Sequence, residues 1–293
     1  VGSEMCIRDS LETDQELIRI ILTGLGIAHW FRGDGRQCQL LGEMLLAYGE
    51  KGADIRSTSD GYLVCAMGRF VSGDFQQSID YCNMAIAASA EMVHSFNSKF
   101  LLAYTHLSNN QVDEADKILT DIMQFTGTYG YEYLGTAAQA LAGMVTLARG
   151  NLGAGFKTIH DRMETFRIKG KRYHWVTFQY LLGRVHFEMA LPRRPMGVGL
   201  ILKNLPFLIR HAPFACRKAE KIYKTALSTA ESIGAMGIAG QMYFDLAQLY
   251  VAKGKRDLAK EVSHRSMAIF RASDADVYLE QASAFATKHE LLT

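Results

Sequence analysis

The stretch Asp245-Leu-Ala-Gln-Leu-Tyr-Val-Ala-Lys-Gly254 combines two features that decide the fold: a small residue within an apolar segment and a glycine seven positions later. Small residues recur in the equivalent place about every 40 residues, with one longer interval: Gly26, Ala66, Ala103, Gly143, Gly183 and Ala247. A self-similar period of this length is typical of repeat proteins.

Five of the six copies carry further residues in register with the small one, whereas the copy at Gly183 is interrupted and resumes beyond the insert as Ala219 and Leu227. Seven places after the small residue stand turn residues: Gly33, Gly73, Asn110, Gly150 and Gly254. Twelve places after it stand second small residues: Cys38, Ser78, Ala115, Gly155 and Ala259. Twenty places after it stand large apolar residues: Leu46, Ile86, Met123, Met163 and Met267. The pattern predicts two antiparallel helices that approach closely at the small residues, joined where Gly or Asn adopts a left-handed conformation.

The copies resemble the tetratricopeptide repeat, most closely in Gly68-Arg-Phe-Val-Ser-Gly-Asp-Phe-Gln-Gln-Ser-Ile-Asp-Tyr81 and in the opening stretch. The resemblance implies an all-α, right-handed superhelical solenoid of about six helix-turn-helix repeats with a C-terminal capping helix. A period near 40, against the usual 34 or so, implies longer helices. The expected repeats cover residues 19–52, 59–92, 96–129, 136–169, 176–233 with an insert at 191–214, and 240–273, followed by a cap at 277–290.

The composition gives few hints of a partner. The net charge is +2, and the five cysteines show no metal-type spacing, which favours a reduced, cytoplasmic protein. No uncharged apolar run is long enough to predict a membrane span. All four prolines lie between Leu191 and Phe214, so we expect the insert to differ in structure from the long helices around it.

Residues 1–10 lie outside the repeat register and resemble a translated sequencing-adapter fragment. We therefore set them apart as a non-native or disordered leader, the alternative being a genuine linker into the first helix. Under either interpretation we expect the chain to be a fragment of a longer protein.

Catalytic and metal-binding motifs are absent from the sequence. It contains no phosphate loop, no His-Glu-x-x-His and no Gly-x-Ser-x-Gly, so we predict no catalytic residue, no cofactor and no metal site. His29, His106 and His186 share one register position but fall in alternate repeats. Packed helices lie about 8–10 Å apart, so these histidines are too distant to share an ion and are interpreted as substitutes for an aromatic residue.

A candidate partner groove follows from the register. Positions one and four after the small residue should face the concave surface of the superhelix: Ile27, Trp30, Met67, Phe70, Tyr104, Leu107, Met144, Leu147, Arg184 and Phe187. An amphipathic helix or a neighbouring domain could dock on this mostly apolar stripe. The alternative is that the helices curl tightly and bury it.

The insert is a second candidate surface. From Ala190 to Lys224 it holds eight cations and a single acid, Glu220; its candidate basic residues are Arg193, Arg194, Lys203, Arg210, Arg217 and Lys218. Cations beside a short apolar segment suit an acidic protein or an anionic membrane, whereas aromatic residues are too few for nucleic acid. The alternative is a loop that packs its apolar residues onto the fifth repeat.

The last third supports a narrower resemblance. Leu202-Lys-Asn-Leu-Pro-Phe-Leu-Ile-Arg-His-Ala-Pro-Phe-Ala215, Gly240-Gln-Met-Tyr-Phe-Asp-Leu-Ala247 and Asp276-Val-Tyr-Leu-Glu-Gln-Ala282 follow one another. This succession, over roughly residues 176–285, resembles the C-terminal region of bacterial proteins that join a class III adenylate/guanylate cyclase, a signalling ATPase and a repeat tail. The resemblance implies a non-catalytic arm that binds protein and regulates catalytic domains upstream.

Two other functions remain open at this level. The chain could be a freestanding adaptor, or the sensor arm of a signalling-ATPase transcription regulator. The oligomeric state and the identity of the partner do not follow from the sequence.

Overall fold

The computed structural model describes the backbone of residues 2–89, 92–192 and 196–292, and the side chains of these ranges from residue 16 onward except Val93. Fifteen α-helices occupy these ranges, and no strand occurs in them. Their bounds are Gly2–Arg32 (α1), Gly35–Gly52 (α2), Ile55–Ser72 (α3), Phe75–Ala87 (α4), Met92–Ser108 (α5), Val112–Tyr129 (α6), Glu132–Ala148 (α7), Leu152–Ile168 (α8), Arg172–Ala190 (α9), Val198–Lys203 (α10), Leu205–His211 (α11), Ala215–Ser232 (α12), Met236–Ala252 (α13), Arg256–Ala272 (α14) and Asp276–Lys288 (α15). The all-helical class is therefore confirmed.

The helices pack in chain order. Each long helix lies against the next, and α9 packs on α12 across the insert. Helix α1 begins at Gly2, inside the stretch that the sequence analysis set apart, and the origin of that stretch stays a prediction. A helix, α15, spans Asp276–Lys288, close to the range 277–290 predicted for the cap, and its capping role stays a prediction.

The predicted turn residues adopt the predicted conformation. Gly33, Gly73, Asn110, Gly150 and Gly254 all have φ between 60° and 86°, in the left-handed region. Each ends one helix two or three residues before the next begins. The chain reverses there because a residue in this conformation terminates a helix while satisfying its last carbonyls.

The two small residues of a repeat meet where their helices cross. The Ser78 hydroxyl donates to the Ala66 carbonyl at 2.9 Å, and the Cys38 thiol lies 3.4 Å from the Gly26 carbonyl oxygen. A Cβ on Gly183 would overlap the ring of Tyr223. The predicted close approach is thus confirmed, since a larger side chain at these positions would separate the backbones.

The buried core divides into three clusters along the chain. One lies within α2–α5, one within α5–α9 and one from α9 to Leu291. Each cluster is built by neighbouring helices that bury one another's apolar faces. Such a core grows by the addition of helices, as in proteins whose units contact only their neighbours.

The N-terminal helix also contacts distant helices. Phe31 of α1 stacks on Tyr173 of α9 with ring centroids 3.8 Å apart, and the α1–α2 turn at Gly33 lies against Gly237 of α13. A Cβ on Gly237 would stand 2.9 Å from the Gly33 Cα atom. The first and last parts of the helix series therefore meet and close a space between them.

Candidate functional site

A cavity of about 430 Å³ that is partly open to solvent lies in this space, and six of the ten predicted groove residues line it. They are Trp30, Phe70, Tyr104, Leu107, Met144 and Arg184. The register placed them on one face because positions one and four after the small residue share a side of a helix. These six residues of the stripe therefore line a partly open concave space, and the docking of a partner there stays a prediction.

The other four predicted residues do not line the cavity. Met67 and Phe187 are buried in the core, and Ile27 and Leu147 are half-buried against it. Helix crossing angles turned these positions towards the neighbouring helices. The side-chain direction of each repeat depends on that packing, which the register alone does not specify.

The opposite wall comes from residues that the groove prediction missed. They include Tyr173, Tyr180, Gln241, Phe244, Asp245, Phe270, Tyr278 and Gln281. Tyr180 and Phe244 each stand three places before a small residue, Gly183 and Ala247. This position shares a helix face with positions one and four after it, so extending the stripe by one turn would have found both.

A buried ion pair lies in the lining of the cavity. The Arg184 guanidinium donates to one Asp245 carboxylate oxygen at 2.8 Å, and the Tyr223 hydroxyl donates to the other at 2.8 Å. A second guanidinium nitrogen of Arg184 contacts Glu188 at 2.5 Å. Burial raises the pKa of Asp245, and the adjacent Arg184 opposes that rise. The charge of Arg184 is thus compensated at the cavity wall.

Four tyrosines add neutral hydrogen-bonding groups. Burial raises the pKa of Tyr104, Tyr173 and Tyr180 above the ordinary range, and raises that of Tyr278 to about 12. Their hydroxyls stay protonated at neutral pH and can both donate and accept. The cavity therefore offers aromatic faces and neutral polar groups.

The three histidines in register lie apart from one another. His29 Nδ1 is 3.2 Å from an Asp34 carboxylate oxygen, and His106 Nδ1 is 2.7 Å from the Gln111 amide oxygen. His186 packs between the rings of Phe156 and His211. Within the described residues no three His, Cys, Asp or Glu side chains are grouped to hold a metal ion.

The insert packs chiefly against the fourth helix pair. The Asn204 amide donates to the Gly150 carbonyl and its oxygen accepts from the Leu152 amide, both at 2.9 Å, at the turn between α7 and α8. Phe207 and His211 contact Phe156 of α8. The alternative interpretation, in which the insert packs onto the fifth repeat, is therefore only partly right. The α7–α8 turn leaves the Gly150 carbonyl and the Leu152 amide without helical partners, and Asn204 forms hydrogen bonds with both.

The candidate basic residues stand on the outside of the insert. Lys203, Arg210 and Arg217 are exposed, while Lys218 is half-buried with its Nζ 3.3 Å from the Arg210 carbonyl oxygen. Arg193 and Arg194 lie outside the described residues. The structure thus presents a basic surface but brings none of these residues into the interior cavity.

The contact of His186 with the insert predicts a specific pH dependence. Burial, together with His211 and Lys218, lowers the pKa of His186 from 6.5 to about 4. The unfolded chain then takes up a proton at a higher pH than the folded one, so stability is lost as the pH falls from 6.5 towards 4. We expect His186→Phe to lose less unfolding free energy than the wild type over this window, as measured by urea denaturation.

The exposed His264 offers a matched control for this experiment. His264→Phe should follow the wild-type acid profile. Parallel curves for His186→Phe and the wild type would contradict the prediction.

No protein-family model and no curated protein sequence matches this chain. None of its described helices has the length and apolar character needed to cross a membrane. The resemblances therefore depend on the quoted residues, and the cavity and the insert are the features from which a function can be argued.

Proposed function

We propose that this chain is the non-catalytic regulatory arm of a cytoplasmic, multidomain bacterial signalling protein, with cyclase and ATPase domains upstream. The twelve long helices are proposed to form six tetratricopeptide-like repeats in a right-handed superhelix, capped by α15. The support is the agreement of turns and small-residue contacts with the repeat register. The freestanding adaptor and the transcription-regulator arm are the alternatives.

The observation that carries the proposal is the partly open, aromatic-lined cavity. Its volume of about 430 Å³ lies in the range of small-molecule sites. An α-helix with its side chains is about 10–12 Å across, so a single turn of helix already fills roughly this volume. A small ligand is thus a better occupant of the interior than the docked helix expected from the sequence, and protein partners would contact the outer surface.

The lining defines the class of ligand. Aromatic side chains from α1, α3, α5, α9 and α13 offer faces for stacking, and Tyr104, Tyr180 and Gln241 offer polar groups. Since Arg184 is neutralised by Asp245, the wall has little net charge to attract an ion. We infer a planar, mainly uncharged molecule with a few hydrogen-bonding groups. Its binding would alter the contact between the turn after α1 and α13, which borders the cavity.

Tryptophan fluorescence can test this site. Trp30 and Trp175 are the only tryptophans, and Trp30 lines the cavity, so in Trp175→Phe protein the emission reports the cavity. We expect the uncharged planar dye Nile red to quench Trp30 saturably. Met144→Trp would fill the cavity, so the affinity for Nile red should drop at least about tenfold. In this variant binding is followed by the emission of the dye, because the new tryptophan would obscure the signal of Trp30.

Two matched variants control this experiment. Leu147→Phe, off the cavity, and Ile209→Asp, on the insert, should leave dye affinity unchanged. Absence of saturable quenching, or equal affinity in Met144→Trp protein of unchanged melting temperature, would overturn the proposed site.

The signalling context has its own test. Genomic DNA upstream of Leu11 should encode a phosphate loop preceded by a cyclase domain. An initiator methionine just ahead of the first helix would instead favour the freestanding adaptor, and a DNA-binding domain would favour the transcription regulator.

A further inference from the structure

The insert carries large apolar residues on both of its faces. Asn204 and Leu208 point inward and are buried, as described above. Val198, Leu202, Leu205 and Ile209 point outward, with Leu202 and Ile209 being 66% and 67% exposed. Val198 and Leu202 lie four residues apart on one face of α10, and Leu205 and Ile209 lie four apart on one face of α11, so each helix presents an outward pair; together these four residues form the outward row.

A row of exposed apolar side chains differs from the single exposed side chains of an ordinary protein surface. Single apolar side chains are common on protein surfaces, whereas a contiguous row usually marks an interaction site. Phe214, 55% exposed, continues the apolar surface beyond α11. In a segment already anchored by Asn204 and Phe207, Val198, Leu202 and Ile209 of the outward row keep most of their side-chain surface exposed.

The charges beside the row have one sign. No Asp or Glu occurs from Leu191 to Ala219. Lys203 and Arg210 are both exposed, and they directly follow Leu202 and Ile209 of the row in the chain. Neither they nor Arg217 forms an ion pair within the described residues, in contrast to Lys224, which pairs with Glu220 at 2.8 Å. The flanking cations are therefore available to an anionic partner.

We propose that this face binds an anionic membrane surface, with the Val198–Ile209 row in the acyl boundary and Lys203 and Arg210 at the lipid phosphates. A helix that lies in the interface needs an apolar side and flanking cations, and both are present here. A second copy of the chain is disfavoured because a symmetric contact would bring Lys203 and Arg210 towards their own counterparts.

Vesicle co-sedimentation tests the proposal. The wild-type chain should bind phosphatidylcholine vesicles that contain phosphatidylserine and should bind pure phosphatidylcholine vesicles far less. Leu202→Asp with Ile209→Asp should weaken binding at least about tenfold through loss of apolar burial. Lys203→Glu with Arg210→Glu should weaken it by a similar factor, and added salt should mimic this charge reversal.

Ile168 is the matched control, because it is an aliphatic side chain 77% exposed at the end of α8, outside the insert. Ile168→Asp should bind vesicles like the wild type. As a second measurement, Ile209→Trp emission should shift to shorter wavelength on anionic vesicles, whereas Ile168→Trp emission should not.

Three outcomes would overturn the proposal. The first is equal binding to both kinds of vesicle, and the second is binding that neither variant pair weakens. The third is saturable binding to polyglutamate without binding to vesicles, which would assign the face to an acidic protein. Circular dichroism and melting temperature establish that each variant is folded. Dye binding in the interior cavity is measured in parallel, so failure here leaves the proposed function separately testable.

Discussion

Replacing Asp245 by alanine should lower the free energy of unfolding by about 3–5 kcal/mol, because it leaves a largely buried guanidinium without its main partner. The Asp245 side chain is 3% exposed and accepts hydrogen bonds from both Arg184 and Tyr223. Its loss would leave the buried Tyr223 hydroxyl without its acceptor and the Arg184 guanidinium with Glu188 as its remaining partner. Urea denaturation followed by circular dichroism measures the change.

Two variants calibrate this prediction. Asp245→Asn keeps the shape and one acceptor oxygen, so it should fall between the wild type and Asp245→Ala. Asp121→Ala removes a surface pair with Lys99 and should cost less than about 1 kcal/mol. A cost for Asp245→Ala no larger than that of Asp121→Ala would show that the buried pair does not stabilise α9 against α13.

Gly237→Ala should lower the free energy of unfolding by about 1–3 kcal/mol through overpacking, and should open the interior cavity. The added Cβ would stand 2.9 Å from the Gly33 Cα atom, and backbone cannot rotate away as a side chain can. The α1–α2 turn must therefore move off α13. Trp30 quenching by Nile red should weaken with it, because Trp30 and Gly237 line the same cavity.

Gly127→Ala is the control for this substitution. Gly127 lies in α6 and a Cβ there meets no atom within 4 Å. Alanine at such a site should leave stability unchanged or raise it by up to about 1 kcal/mol, since it favours the helix more than glycine does. If Gly237→Ala behaves like Gly127→Ala, the contact between the two ends of the helix series does not hold the cavity closed.

Much of the local structure could be predicted from the sequence. Gly33 and Asn110 were placed at turns because only certain residues adopt a left-handed conformation cheaply, and both adopt it. Ala66 and Ser78 were placed at a helix crossing because small residues permit close approach, and they form a hydrogen bond there. These features depend on nearby residues and on the helical period, which are both written in the chain.

Part of the candidate site could be predicted in the same way. Trp30 and Tyr104 were assigned to one interior face and both line the cavity. Met67 was assigned there too but is buried in the core, because the direction of a side chain also depends on how its helix crosses the next one.

The repeat register, the turns and the all-helical class were determined by the sequence itself, because each depends on residues within one helix pair. The cavity was decided by the tertiary structure. It requires Phe31 to contact Tyr173 and Gly33 to contact Gly237. The geometry of these contacts depends on the crossing angles of all the helices between them. The docking of Asn204 at the α7–α8 turn is of the same kind. A local pattern predicts each crossing only approximately, and small angular differences add along the chain until they decide which distant residues touch.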